Sequence, residues 1–472
     1  MQTLFDIHNH LFNRHFLAKE LLFRLTREMK KLIVPELEQE RGLDDSLQKL
    51  RNVIKALKRY SHAIRVFTRR NSTAIYEELN KVYKGKFILT PLTFDLTYCF
   101  APSADRNGAA ASEPSVNEYF DGEMESLFRL IEQQAALAVR DRGETIPEEG
   151  KVWKEYLLEK EKLIKNAEAL REVPEARSGG QPDMRGFPEF PGPFDGFEEQ
   201  IRQIRELKEN PDCRDMIYPF LAVDPRRPGI LEYARNNTGR GKLFAGIKLY
   251  CPNGYSPTDP LLYGTTGQKD GLYAFCEENG IPVTAHNSDG GFATLSKSVF
   301  IHGLIHDQGE LVQLENERLN FSGSILSDNA VYERAVALNH PLLWEKVVEK
   351  YPGLILNLAH FGGGGQLEKA LENPNDHTLW SNRIISLLKD GRYKVYTDLS
   401  CFTEFGILRK FVDSPVYDEI KGKILYGSDY TLLLLFEDDF PRNVKQFRQC
   451  FGNDFEIIAG ANPREFLKHV IG

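Results

Sequence analysis

The sequence predicts an α/β protein built as a closed (β/α)8 barrel, and three observations predict it. Eight short apolar segments recur along the chain with helical stretches between them. Near-continuously apolar strands alternating with helices signal a parallel sheet, and eight repeats suit a closed barrel. Polar residues fall repeatedly at the C-terminal ends of these segments, where such barrels carry their chemistry. An open doubly wound sheet is the competing topology, but no Gly-x-Gly-x-x-Gly follows the first strand to support it.

The first strand is expected in Leu4-Phe5-Asp6-Ile7-His8-Asn9-His10-Leu11-Phe12. Strict alternation puts His8 and His10 on one face, with Asp6 one step deeper and Phe5 and Ile7 on the other side. Two imidazoles so placed suit a single divalent metal ion, although paired histidines also occur on solvated strands. Residues 16–60 carry apolar positions at mixed three and four spacing and predict amphipathic helices. A second strand is expected within Lys86–Phe94, and charged helices over 117–140 and 150–172. Ser178–Phe197 holds five glycines, four prolines and four phenylalanines, which excludes a regular element. Strands then follow at Met216–Val223, Phe244–Leu249, Ile281–His286, Leu354–His360, Tyr393–Leu399 and Ile424–Ser428. Helices are expected at Gly271–Asn279, Pro341–Lys350 and Trp380–Asp390. The whole chain, 1–472, is expected to be one barrel. Residues 105–200, between the second and third strands, form a helical insertion on the catalytic face. It is placed as a lid over the pocket, with an oligomer contact or a linker as the alternatives.

At 472 residues and 41% hydrophobic, the chain can bury a large core. Its net charge of −8 offers no basic field to a nucleic-acid backbone. Six scattered cysteines without Cys-x-x-Cys argue against a disulfide framework or thiolate metal site and suit a reducing compartment. The first strand starts too near Met1 to leave room for a signal peptide. No uncharged apolar run approaches the roughly 18 residues of a membrane span. A cytoplasmic protein without a membrane or nucleic-acid partner is expected.

The strand-end residues are His8 and His10, Lys248, His286, His360, Asp398 and Asp429. Each has a structural alternative: a buried histidine is commonly a hydrogen-bonded core residue, and Asp429 could cap the next helix. Four of the eleven histidines at matching ends of separate strands are poorly explained by independent accidents. Gly362–Gly365, with Gly363 among them, either brings backbone N–H groups to a substrate oxyanion or forms a turn of positive φ. Arg226 and Arg227 either hold a substrate carboxylate or form a solvated loop pair. Asn287 and Asp289 line the pocket or make a turn. His302, His306 and His340 are read as surface or structural histidines.

These segments in this order resemble the amidohydrolase superfamily, in particular its branch of aminocarboxymuconate-semialdehyde decarboxylase and related metal-dependent hydrolases. The resemblance is carried by Asp6-Ile7-His8-Asn9-His10, Gly246-Ile247-Lys248-Leu249, Thr284-Ala285-His286, Leu358-Ala359-His360-Phe361-Gly362-Gly363, Gly427-Ser428-Asp429 and Gly460-Ala461-Asn462-Pro463-Arg464-Glu465-Phe466. It implies a TIM barrel whose metal ligands are His8, His10, His286 and Asp429. Asp429 is then also the proton acceptor, with His360 beside the water or the reacting oxygen. Neutral imidazoles and a carboxylate suit Zn2+, with Mn2+ or another divalent ion as alternatives, and the metal lowers the pKa of bound water.

Lys248 divides the superfamily: carboxylated, it bridges two metals; unmodified, it sits near the substrate in a one-metal site. The local context matches the one-metal branch, and an ion pair to Asp6 or Asp398 is the structural alternative. The expected activity is hydrolysis of a C–N or C–O bond (amide, ester or lactone) in a small carboxylated substrate. The alternatives are non-oxidative decarboxylation of an unsaturated or aromatic acid and a non-catalytic metal-binding barrel. A homodimer is compatible with all three.

Overall fold

Ten strands organise the chain: β1 (Leu4–Asn9), β2 (Phe87–Pro91), β3 (Phe220–Ala222), β4 (Gly246–Leu249), β5 (Val283–Ser288), β6 (Ser298–Asp307), β7 (Glu310–Asn320), β8 (Leu356–Gly362), β9 (Val395–Asp398) and β10 (Ile424–Leu425). They belong to a computed structural model that describes residues 3–13, 45–69, 71–100, 122, 124–133, 147–171, 196–265, 267–294, 296–322, 328–437 and 439–471. Eight of the strands are parallel neighbours in the order of a (β/α)8 barrel. β1 pairs with β2, and β3, β4, β5, β8, β9 and β10 form a six-stranded sheet. The ladder is interrupted at two seams, each crossed by backbone hydrogen bonds. Tyr218 N donates to Leu89 O at 2.8 Å and Thr93 N to Phe220 O at 3.0 Å. Across the other seam, Ile7 N donates to Tyr426 O at 3.1 Å and Asp429 N to His8 O at 2.7 Å. All eight expected strands are present; six are shorter than the apolar run that signals them, and β5 and β8 keep its length but start two residues later.

β6 and β7 form an antiparallel hairpin between β5 and β8 that the sequence reading did not foresee. Its buried face is narrow: Val299, Ile301 and Ile305 pack with Phe321 and Leu338. β7 is largely exposed, so no continuous apolar run marks it.

The helices over Leu272–Asn279, Pro341–Lys350 and Trp380–Lys389 lie where periodicity places them. Of the insertion, 105–121, 123, 134–146 and 172–195 fall outside the described residues, and so do 16–44 of the first helical region. Helix Pro147–Arg171 packs along helix Asp45–Phe67, which in turn contacts the turn Leu433–Leu435 after the last strand. No helix among the described residues is long and apolar enough to cross a membrane.

The barrel interior is layered. Its floor is one apolar cluster: Phe5, Ile7, Leu92, Phe220, Ala245, Ile355, Tyr396 and Leu425 meet Phe466, Leu467 and Val470 of the C-terminal segment. This corrects the alternation expected for β1. Phe5 and Ile7 face the barrel interior, whereas Asp6 faces the helices and accepts a hydrogen bond from Tyr83 Oη at 2.8 Å. The register of β1 against β2 shifts between Asp6 and Asn9. Such an irregularity re-aims the side chains beyond it, and it brings His8 to the interior side despite its parity with Asp6.

Above the floor, Gly246 accommodates Phe220. A Cβ on Gly246 would lie 2.5 Å from Phe220 Cζ and 2.6 Å from the fixed Pro282 carbonyl oxygen. Gly246→Ala should therefore destabilise the fold by about 1–3 kcal/mol, as overpacking of a filled core does. Urea unfolding checks this, and an unchanged midpoint would contradict the layered packing.

Candidate metal centre and active-site cavity

His8 and His10 end β1, and Asp429 follows β10 across the seam. Their donor atoms lie within 4.8 Å of one another, all buried. Asp429 Oδ1 is 3.2 Å from His10 Nε2 and 3.8 Å from His8 Nε2. Two donors about 2.1 Å from one tetrahedral ion stand about 3.4 Å apart, so these spacings fit a shared divalent ion. The same Oδ1 is buried without a hydrogen-bond partner among the described residues, as an oxygen reserved for a cation would be.

The imidazoles are oriented from behind. His10 Nδ1 donates to Leu92 O at 2.8 Å and His8 Nδ1 to Asp398 Oδ2 at 2.9 Å. Both partners only accept, so both Nδ1 atoms carry the hydrogen and Nε2 keeps its lone pair, the arrangement that metal-binding histidines use. Burial takes the His8 imidazole down to about 3, in spite of Asp398. Burial would raise the Asp429 carboxyl, but His10, 3.2 Å away, and the neighbouring imidazoles bring it down to about 2. Neutral His8 beside an ionised carboxylate is the protonation state that ligation needs.

His286 and His360 line the same cavity of about 290 Å3. Their ring centroids are 4.7 Å apart, and His360 lies 4.7 Å from His8. Among the described residues His8, His360 and Asp398 form a second group of three close donors, and His286 belongs to neither group. Its Nε2 donates to Gly290 O at 3.0 Å, beyond an irregularity in β5 between His286 and Ser288. His360 N donates to Asp398 Oδ1 at 3.0 Å, and the chain holds positive φ from His360 (68°) and Phe361 (52°) through Gly362 and Gly363. Left-handed conformation at two bulky residues is strained and tends to accompany function.

Lys248 rises from β4 into the cavity and makes no ion pair among the described residues. Burial lowers its ammonium to about 8, against the attraction of Asp398 and Asp429. Asp6, offered above as its structural partner, lies on the helix-facing side and accepts from Ser428 N at 2.9 Å and Ser428 Oγ at 2.6 Å.

The other expected site residues are placed differently. Arg226 is held bidentately by Asp224 at 2.8 and 2.6 Å, and Arg227 by Asp95 at 2.6 and 3.1 Å; neither lines the cavity. Asn287 donates to Asn339 O at 2.9 Å, away from the cavity. Asp289 accepts from Gln366 Nε2 at 2.8 Å. Gly363 lines the cavity, but its N–H donates to His360 O at 2.8 Å, so the glycine run is at least partly a turn. His302 pairs with Glu315 on the hairpin, while His306 stacks on His340 at 3.8 Å. His340 also accepts from Leu342 N at 3.2 Å as a helix cap.

Two cavity residues escaped the sequence reading. Tyr250 stacks on His286 at 4.2 Å and accepts from Phe292 N at 2.6 Å. Ser400 lies between His8 and His360. Each stands two residues beyond a strand-end residue already noted, Lys248 or Asp398, and that spacing was the available signal.

A family profile described as Amidohydrolase matches residues 196–468. The chain belongs to the amidohydrolase family. As such it is a metal-dependent hydrolase or decarboxylase, of a family that generally uses a divalent metal. The match begins after β2, so the place of His8 and His10 in this amidohydrolase rests on the geometry above. No curated protein matches the chain. The solved structures similar at low identity include the following three. One is a putative 2-pyrone-4,6-dicarboxylic acid hydrolase from Pseudomonas putida (14% identity, TM-score 0.33, covering 56% of this chain and 76% of that one). The second is the IDCase of Metarhizium anisopliae in apo form (12%, 0.31, 57% and 68%). The third is a dihydroorotase from Saccharomyces cerevisiae in complex with 5-fluoroorotic acid (12%, 0.29, 57% and 72%). Likenesses this distant carry no argument about chemistry.

Replacing His8 and His10 together by Ala should abolish tight metal binding and leave a folded barrel, whereas His286→Ala should weaken binding less. Metal content by elemental analysis beside circular dichroism checks both. Undiminished metal in the double variant would overturn the site.

Proposed function

We propose that the protein hydrolyses a C–N or C–O bond of a small carboxylated substrate with one divalent metal, Zn2+ in first place. The observation that carries this reading is Asp429 Oδ1, which has no hydrogen-bond partner among the described residues and faces two imidazole nitrogens in a cavity that also holds Lys248, which makes no ion pair among those residues. The proposed ligands are His8, His10 and Asp429, with His286 as a fourth donor from β5. A divalent ion held there supplies the Lewis acidity that makes water a nucleophile near neutral pH.

The chain's own groups do the rest. Asp429, ionised, takes the proton of the attacking water and returns it to the leaving group. His360, through its Nε2 lone pair, accepts a hydrogen bond from the attacking water. Lys248 pairs with the substrate carboxylate. Its amine is buried and makes no ion pair among the described residues, so a substrate carboxylate there supplies a direct partner beside the longer-range attraction of Asp398 and Asp429. Phe94, Tyr250, Phe292 and Phe402 line the cavity and exclude water from the reacting groups. Arg226 and Arg227 are engaged by their own carboxylates, which favours Lys248 as the anion site. The six scattered cysteines, without Cys-x-x-Cys, are in keeping with a reducing, cytoplasmic setting.

Metal titration of the stripped protein should saturate near one equivalent. The loaded enzyme should open lactones, esters or amides of carboxylic acids without releasing CO2 and without needing added bicarbonate. CO2 release from an unsaturated or aromatic acid would replace hydrolysis by decarboxylation. Two equivalents with bicarbonate dependence would assign a carboxylated Lys248.

A further inference from the structure

Beneath the metal-ligand atoms lies a buried group of polar side chains whose arrangement the metal centre alone does not explain. Asp398, the last residue of β9, accepts hydrogen bonds on both oxygens. Oδ2 takes His8 Nδ1 at 2.9 Å and Asn357 Nδ2 at 2.7 Å. Oδ1 takes His360 N at 3.0 Å, Ser400 N at 3.1 Å and the Ser400 hydroxyl. Ser400 Oγ also stands 2.9 Å from His360 Nδ1 and 3.1 Å from His8 Nδ1.

A serine hydroxyl has one hydrogen and two acceptor lone pairs. Asp398 Oδ1 already accepts two backbone N–H groups and so serves as an acceptor, and the Ser400 hydrogen points to it. Both lone pairs are then left for the two imidazoles, and both rings must present Nδ1–H to it. The Ser400 carbonyl, 3.3 Å from His360 Nδ1, asks for the same tautomer. In each ring the unprotonated nitrogen is therefore Nε2.

We propose that Asp398 and Ser400 are a positioning pair that locks His8 and His360 in the same Nδ1–H tautomer, so that both present Nε2 lone pairs to one cavity. Its consequence for catalysis rests on the metal-site reading above; the tautomers themselves do not. A purely structural role would need only the backbone bonds at Oδ1, which tie β8 to the turn after β9. The occupation of Oδ2 by the His8 side chain, and of every hydroxyl valence of Ser400 by this group, goes beyond that need. The link joins residues from three different barrel strands into one chain, His8–Asp398–Ser400–His360.

The test is nitrogen NMR of the histidine rings in stripped full-length protein, combined with metal affinity and melting temperature. In the wild type, Nδ1 of both rings should show the protonated signature and Nε2 the unprotonated one; an Nε2–H ring at either position would overturn the proposal. Ser400→Ala should shift His360 towards a mixture of tautomers while His8, still on Asp398, keeps its own; Ser400→Thr, which retains the hydroxyl, should restore His360. In Asp398→Asn the amide no longer serves every donor. His8 should lose its single tautomer and metal affinity should fall about 10- to 100-fold, as when the orienting partner of a ligand is removed. A lowered melting temperature with unchanged tautomers in Ser400→Ala would assign the pair a structural role only, whether or not Asp398→Asn folds. Wild-type protein with the expected tautomers but no metal affinity would support the pair and refute the metal centre.

Discussion

The site depends on the seam where the first strand meets the last. Asp429 N donates to His8 O and His10 N to Tyr430 O, so the two segments that carry the candidate ligands are hydrogen-bonded to each other before any ion is considered. Asp6 reinforces the seam from the helix side by accepting from Ser428 N, Ser428 Oγ and Tyr83 Oη. The approach is close enough that Gly427 has no room for a side chain, since a Cβ there would lie 2.5 Å from His8 Cβ. Positive φ at Asp429 (55°) and Thr431 (72°) turns the chain back after this contact. The separation of His8, His10 and Asp429 is thus fixed by backbone, and the side chains have little left to adjust.

The electrostatics follow from that burial. Burial alone disfavours every charge in the cavity, lowering His8, His286, His360 and Lys248 from their ordinary values. The two carboxylates move the other way. Burial would raise Asp398, but His8, His360 and Ser400 hold it well below its usual range, and His10 does the same for Asp429. The outcome is neutral His8, His286 and His360, two ionised acids and one amine that lacks a direct partner among the described residues. A dication added to this set, followed by a substrate carboxylate beside Lys248, leaves few charges uncompensated, and that balance ties the proposed chemistry to the fold.

Much of the barrel was legible in the sequence because parallel strands buried on both faces are written as apolar runs between helices. The strand-end histidines, Lys248 and Asp429 could be placed from those runs. What was not legible has physical causes. The irregularity in β1 reverses the facing of His8 relative to Asp6, and no residue pattern announces it. Arg226 and Arg227 looked available because their partners, Asp224 and Asp95, are respectively too near and too far in sequence to suggest a buried pair. The β6–β7 hairpin buries too little to leave an apolar signature. Ser400 was overlooked because serine is ordinary in loops; its significance comes from three partners on different strands. Sequence therefore located the ends of the strands, while the register shifts and ion pairs that decide which side chains converge had to come from coordinates.

Anomalous diffraction from crystals grown with zinc tests the central claim most directly. The account predicts a single strong peak per chain about 2.0–2.2 Å from His8 Nε2, His10 Nε2 and a carboxylate oxygen of Asp429. A peak elsewhere, or none in crystals of folded protein, would contradict it.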